Sequence, residues 1–261
     1  MTSFSAGGNA YDDHGDGNVT LLFLPGWCGP RTYFAALADR LTEHRTLTID
    51  WRGHGESKPA TGDFGVAELA DDAVSIIEQS GARNVVPVAA AHAGWVAIEL
   101  RRRLGADVVR GIAFLDWMVL GAPEPFLNAL GGMADRATTR AAVDGLTGMW
   151  LADVELPALS TYVASMADHD DEMWARAARE IADQFERNGV PLENVAKLDP
   201  APPTLHLFAQ PDDPAFLRAQ QDFAAQHPWF QVEKLNAASH FPIFEVPDTI
   251  AAHLTRFAAR L

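Results

Sequence analysis

An α/β domain, with a mostly parallel sheet flanked by helices and an inserted helical cap, is the fold class this sequence predicts. Three observations carry that prediction. Short apolar runs alternate with segments of helical period at both ends of the chain, the pattern of a parallel sheet covered on two faces. The alternation stops between about Pro123 and Asn194, where only amphipathic helical segments follow one another. With 261 residues, 48% of them apolar, the chain has enough material for one large core.

In chain order, strands are expected at 19–24, 45–50, 84–90, 109–115, 204–209 and 230–235, each a short apolar run bounded by turn residues. Helices are expected at 32–41, 66–80, 93–104, 214–226 and 248–261. Inside the insertion, 156–166 and 171–188 have helical period. The core is therefore expected over 1–120 and 200–261 and the cap over 121–199, above the carboxyl edge where open α/β sheets bind ligands.

Composition narrows the function. A net charge of −15 argues against nucleic acid and anionic membrane surfaces as partners. Cys28 is the one cysteine, so no disulfide framework exists and a reducing cytoplasm fits. Residues 1–17 are polar and lack the apolar core of a signal peptide. No run approaches the roughly 20 apolar residues of a membrane-spanning helix. The nine histidines show no metal-ligand spacing, so neither metal nor cofactor is expected.

The most informative stretch is Ala89-Ala90-Ala91-His92-Ala93-Gly94-Trp95, directly after an apolar strand. It has the shape of a nucleophile elbow, in which small residues let a strand turn sharply into a helix and lift one side chain over the sheet. The lifted residue is Ala91, whose methyl attacks nothing. An acid and a base are nevertheless in place. Asp116 ends the strand of Phe114-Leu115-Asp116-Trp117, and His240 stands in Ala238-Ser239-His240-Phe241, between the last strand and the last helix. A base without a nucleophile points to proton abstraction. Rival acids are Asp212 and Asp213, although Pro214 makes Asp213 a natural helix cap. Two backbone N–H groups, of Trp27 in the Gly turn Leu24-Pro25-Gly26-Trp27-Cys28-Gly29 and of His92 after the elbow, are expected to converge as an oxyanion hole. His54 reads as part of a structural turn and His206 as packed within a strand. His14, His44, His169, His227 and His253 read as surface residues. Trp27, Trp95 and Trp117 near the site, with Trp150 and Trp174 in the cap, suggest a pocket for a flat apolar ligand.

These residues together resemble the cofactor-free 2,4-dioxygenases of 3-hydroxy-4-oxoquinolines, a branch of the α/β-hydrolase fold. The resemblance covers most of the chain and rests on Leu24-Pro25-Gly26-Trp27-Cys28, Trp51-Arg52-Gly53-His54-Gly55, His92-Ala93-Gly94-Trp95, Leu115-Asp116-Trp117-Met118 and Ser239-His240-Phe241. It implies a reaction of a small aromatic substrate with O2, without metal or flavin, releasing carbon monoxide and an N-acylanthranilate. It implies His240 as base, Asp116 as its orienter, Trp27 and His92 as N–H donors, and Trp150 as a wall of the site. The chain departs from the family where serine is usual, at Ala91, and where a histidine is frequent, at Gly29. The more apolar pocket that results suggests a 2-alkyl substrate such as the Pseudomonas quinolone signal, its chain lying along Phe126, Leu127, Leu130, Met133, Met149, Trp150 and Leu151. Burying a heptyl chain is worth about 5 kcal/mol at about 0.8 kcal/mol per methylene. Two other functions remain open from residues alone. One is a serine-type hydrolase with its nucleophile replaced by Ala91, and the other a ligand-binding protein on a silent hydrolase scaffold.

Overall fold

The computed structural model describes residues 2–152 and 154–261. The chain opens with β1 (Thr2–Phe4), β2 (Ala10–His14), β3 (Thr20–Leu24), α1 (Ala35–Ala38) and β4 (Arg45–Ile49). It continues through α2 (Val66–Ser80), β5 (Val85–Ala90), α3 (Gly94–Val108) and β6 (Ile112–Leu115). Among the described residues, five helices then follow without a strand: α4 (Glu124–Ala134), α5 (Thr139–Leu151), α6 (Pro157–Ala167), α7 (Asp171–Asn188) and α8 (Pro191–Ala196). The chain closes with β7 (Thr204–Phe208), α9 (Pro214–Gln226), β8 (Phe230–Lys234) and α10 (Pro247–Ala258).

The eight strands form one sheet in the order β1-β2-β4-β3-β5-β6-β7-β8. From β4 to β8 all neighbours are parallel. Every residue of β3, β5, β6 and β7 is buried, as expected for strands covered on both faces. The edge strand β8 is mostly half-exposed.

The six expected strands are present. The antiparallel pair β1–β2 was not expected, and β2 also runs antiparallel to β4. The edge strand β1, Thr2-Ser3-Phe4, is half-exposed and carries no apolar run. The turn dipeptide Gly7-Gly8, with Gly8 at φ 87°, was the available signal. The expected helix at 32–41 is instead a 3-10 turn, Arg31–Phe34, followed by the single turn α1. Arg31 is tied down by its backbone N–H, which donates to Asp50 Oδ1 at 2.6 Å, and by its guanidinium on Asp50, Asp12 and Glu56. The strand expected from 109 begins only at Ile112, with Val109 making an isolated bridge to Val85.

Helices α4 to α7 pack mainly on one another. The most amphipathic is α7, which buries Met173, Trp174, Ala177, Ala178, Ile181 and Phe185 at helical spacing. Asp170 caps it by accepting the Met173 N–H at 2.8 Å.

Candidate active site

Because β3, β5 and β6 are neighbours, the turns leaving their carboxyl ends stand side by side. Leu24 pairs with Ala89 and Ala90 with Leu115, so the segments beginning at Pro25, Ala91 and Asp116 share one rim. Three non-glycine residues there adopt the left-handed region: Cys28 (φ 63°), Ala91 (φ 47°) and Asp116 (φ 49°). Such backbone is costly and collects at functional sites. Ala91 opens the 3-10 turn Ala91–Ala93 that runs into α3, which is the elbow geometry the sequence implied.

Asp116 is 4% exposed. Its Oδ1 accepts the N–H groups of Ala209 (3.0 Å) and Gln210 (2.8 Å). Its Oδ2 is buried without a hydrogen-bond partner and lies 4.0 Å from Nδ1 of His240. The histidine and the aspartate therefore stand side by side without a hydrogen bond between them. Burial pushes the Asp116 carboxyl well above the usual carboxylate range, opposed by the two N–H donors and by Lys234. Burial also pulls the His240 imidazole down to about 4. The ring sits deep in the fold, yet about a third of its side-chain surface (32%) remains open. Burial thus works against the charged form of each group, while the two N–H donors and Lys234 favour Asp116 as the carboxylate. The rivals do not reach the site in this way. Asp213 caps α9 through the Ala215 N–H, and Asp212 is an exposed partner of Lys234.

His240 stands in a loop pinned by a residue the sequence reading missed. Glu245 accepts the N–H groups of Ala238 and Ser239, each at 2.8 Å, and the Ser239 hydroxyl at 2.6 Å. The Ser239 oxygen in turn accepts the Phe241 N–H. A carboxylate five residues after the histidine, before a helix, was the only sequence signal.

In the first turn, the Trp27 N–H meets no acceptor among the described residues. The next N–H, of Cys28, is used: it donates to Nε2 of His54 at 3.0 Å. His54 is fully buried, with Nδ1 3.0 Å from the Arg52 carbonyl, so the structural turn it belongs to also holds this loop. Burial lowers it to about 4, which keeps Nε2 an acceptor. His92 lies in the first turn after β5, where backbone N–H groups lack intrahelical acceptors. Gly26 and the elbow are close, since a Cβ on Gly26 would meet the Ala90 carbonyl at 3.7 Å.

Aromatic rings wall the site. Trp150 stacks near His240, with ring centres 6.2 Å apart, and meets Phe241 edge-on at 5.0 Å. Phe126 lies parallel to His92 at 5.5 Å, and Phe185 meets it edge-on. Leu130 and Met133 are buried, but Met149 is 64% exposed, so that member of the expected alkyl channel faces away from the interior. His169, expected on the surface, is half-buried against His54 at 4.9 Å. His206 is packed as expected, and it also accepts the Trp117 N–H through Nε2. Among the described residues no group of three or more His, Cys, Asp or Glu could hold a metal ion, and no helix is long and apolar enough to cross a membrane.

A mostly parallel sheet with an elbow after β5, an acid after β6 and a histidine after β8 defines a class, and the chain matches its model: residues 21–253 fit the alpha/beta hydrolase family. The chain belongs to that family and, within it, to the branch of the 3-hydroxy-4-quinolone dioxygenases. It is 35% identical to a 2-heptyl-3-hydroxy-4(1H)-quinolone dioxygenase of Mycobacteroides abscessus, over 93% of this chain and 91% of that protein. It is 34% identical to a 2-heptyl-3-hydroxy-4-quinolone dioxygenase of Rhodococcus erythropolis, over 92% of this chain and 86% of that protein. The solved structure of an AqdC variant in complex with its substrate, which concerns ring-cleavage of the Pseudomonas quinolone signal, superposes with a TM-score of 0.94 at 32% identity. That match covers 100% of this chain and 99% of the other.

Proposed function

We propose that this protein cleaves the heterocyclic ring of 2-alkyl-3-hydroxy-4(1H)-quinolones with O2, releasing carbon monoxide and an N-acylanthranilate without metal or flavin. The observation that carries the reading is the half-buried His240 next to the buried Asp116, beside an alanine where an attacking serine would stand. Such a site moves a proton but forms no acyl-enzyme.

Nδ1 of His240 faces Asp116, which leaves Nε2 to take the proton of the substrate 3-hydroxyl. The electron-rich anion reacts with O2 at C2. The resulting peroxide attacks the C4 carbonyl, the O–O, C2–C3 and C3–C4 bonds break, and C3 leaves as carbon monoxide. Both oxygen atoms of O2 end in the N-acylanthranilate, and the proton held by His240 returns to it. The N–H groups of Trp27 and His92 hold the carbonyl oxygen as charge develops on it. Asp116 orients His240 and offsets the imidazolium.

Residues 121–199 act as the cap, with Trp150 shielding the base from water. The heptyl chain named for both relatives suits the apolar side of this cap, which holds Phe126, Leu130 and Met133. Removing such a signalling quinolone in the cytoplasm would be a quorum-quenching activity.

The test is gas exchange on mixing metal-stripped protein with 2-heptyl-3-hydroxy-4-quinolone. Carbon monoxide formed in step with O2 uptake is expected. Binding without gas exchange would overturn the reading, and turnover of the 2-methyl but not the 2-heptyl compound would overturn the alkyl preference.

A further inference from the structure

We infer that Trp117 is a positioning residue: its indole N–H holds His92 as a donor with its proton on Nε2, so that of the two imidazoles at the site only His240 is free to take a proton. The consequence for catalysis rests on the ring-cleavage reading, whereas the geometry does not.

An indole nitrogen only donates. Nε1 of Trp117 lies 3.2 Å from Nδ1 of His92, so Nδ1 must present its lone pair, and a neutral ring then carries its hydrogen on Nε2. That N–H has no hydrogen-bond partner among the described residues. Burial independently keeps His92 neutral, its imidazole falling to about 3.

The ring is not free to turn over. Phe126 lies parallel to one of its faces and Phe185 meets it edge-on at 5.8 Å. A half-turn would set a carbon against the indole N–H and strand a buried donor.

Trp117 is itself locked, at 2% exposed. It fills the space over Gly94, where an added Cβ would lie 2.2 Å from Cζ3 of the indole. Its backbone N–H donates to Nε2 of His206 (3.2 Å), and Nδ1 of His206 lies 2.5 Å from Oε1 of Gln220. His206 must therefore carry its hydrogen on Nδ1 and donate it to the amide oxygen. A buried relay thus runs from Gln220 on α9 through His206 on β7 to Trp117, and on to His92 at the elbow. Because Trp117 directly follows Asp116, one strained turn aims both the partner of the base and the tautomer of its neighbour.

The experiment is two-bond 1H–15N NMR of the histidine rings in the full-length protein at neutral pH, with kinetics on the Trp117→Phe variant. The wild-type His92 signals are expected to show the Nε2–H tautomer. In Trp117→Phe they should move toward a mixture, with KM for a 3-hydroxy-4-quinolone rising about threefold to tenfold, the weight of one hydrogen bond, and kcat changing less. An Nδ1–H pattern in the wild type would overturn the inference even if the variant fails to fold, and so would an unchanged tautomer in a folded variant. Absence of O2 uptake by a wild-type protein that shows the Nε2–H tautomer would overturn the ring-cleavage reading and leave the assignment of Trp117 standing.

Discussion

Nδ1 of His240 and Oδ2 of Asp116 face each other at 4.0 Å, with the carboxylate oxygen buried and otherwise unpartnered. That separation exceeds a hydrogen bond, and an approach of about 1 Å would make one. Two N–H donors fix the far oxygen of Asp116, so the approach falls to the histidine loop.

The pair makes the first prediction. His240→Ala removes the base and should cut kcat roughly 10²- to 10⁴-fold while leaving substrate affinity nearly intact. Asp116→Ala should cost less, because Asp116 orients and compensates without itself taking the proton. Single-turnover kinetics with titration of substrate binding measure both. A loss below about tenfold in His240→Ala would assign the proton to another group.

The lowered histidines set a pH dependence with a definite sign. His54 and His206 are fully buried and both fall to about 4, against 6.5 for an ordinary imidazole. The unfolded chain therefore binds more protons between those values, and their contribution to stability is complete above pH 6.5 and lost as pH falls toward 4. At most about 1.4 kcal/mol per pH unit is lost for each ring, so the two together should cost up to about 4 kcal/mol between pH 7 and pH 5. Asp116, raised by burial, works in the opposite direction and takes back part of this. Urea midpoints at the two pH values measure the balance, and a midpoint that does not fall on acidification would contradict the neutral assignment of these rings. For the same reason the acid limb of kcat/KM should lie well below pH 6.5, since His240 remains an unprotonated base nearly down to its lowered value of about 4.

Glu245 supports the base through three hydrogen bonds to Ala238 and Ser239. Glu245→Ala should leave those donors to water and loosen the His240 loop. About 1–3 kcal/mol of stability should go, with a fall in kcat of about tenfold from mispositioning. Thermal melts and kcat on the same preparation separate the two effects. Unchanged kcat would mean that the loop is held by Phe241 and its aromatic neighbours instead.

Much of this site was legible because its chemistry sits at topological positions. A strand end, a Gly turn and a small-residue elbow announce themselves locally, so Asp116, Ala91 and Trp27 could be placed on one rim before any contact was known. His240 followed from its place between the last strand and the last helix. The supports were not legible, because they act across the fold. His54 reaches Cys28 over 26 residues, His206 reaches Trp117 over 89, and neither spacing leaves a periodic trace. The β1–β2 edge was missed for a different reason: a solvent-facing edge strand needs no apolar run.

Ala91 supplies the last prediction. It takes the elbow conformation at φ 47°, which an alanine adopts only under constraint, so the backbone there is set by the β5-to-α3 turn and not by its side chain. Ala91→Ser should therefore fold unchanged and place a hydroxyl at the rim beside His240 and Asp116. In a ring-cleaving enzyme that hydroxyl is a bystander or one extra hydrogen bond, so turnover of the quinolone should stay within a few-fold of the parent. Nitrophenyl ester cleavage should remain far below it if the His240–Asp116 pair serves, as proposed, to take a substrate proton. Assaying both reactions on the one variant decides the matter. Strong ester hydrolysis together with silent quinolone chemistry in the parent would identify a serine hydrolase that had lost its nucleophile.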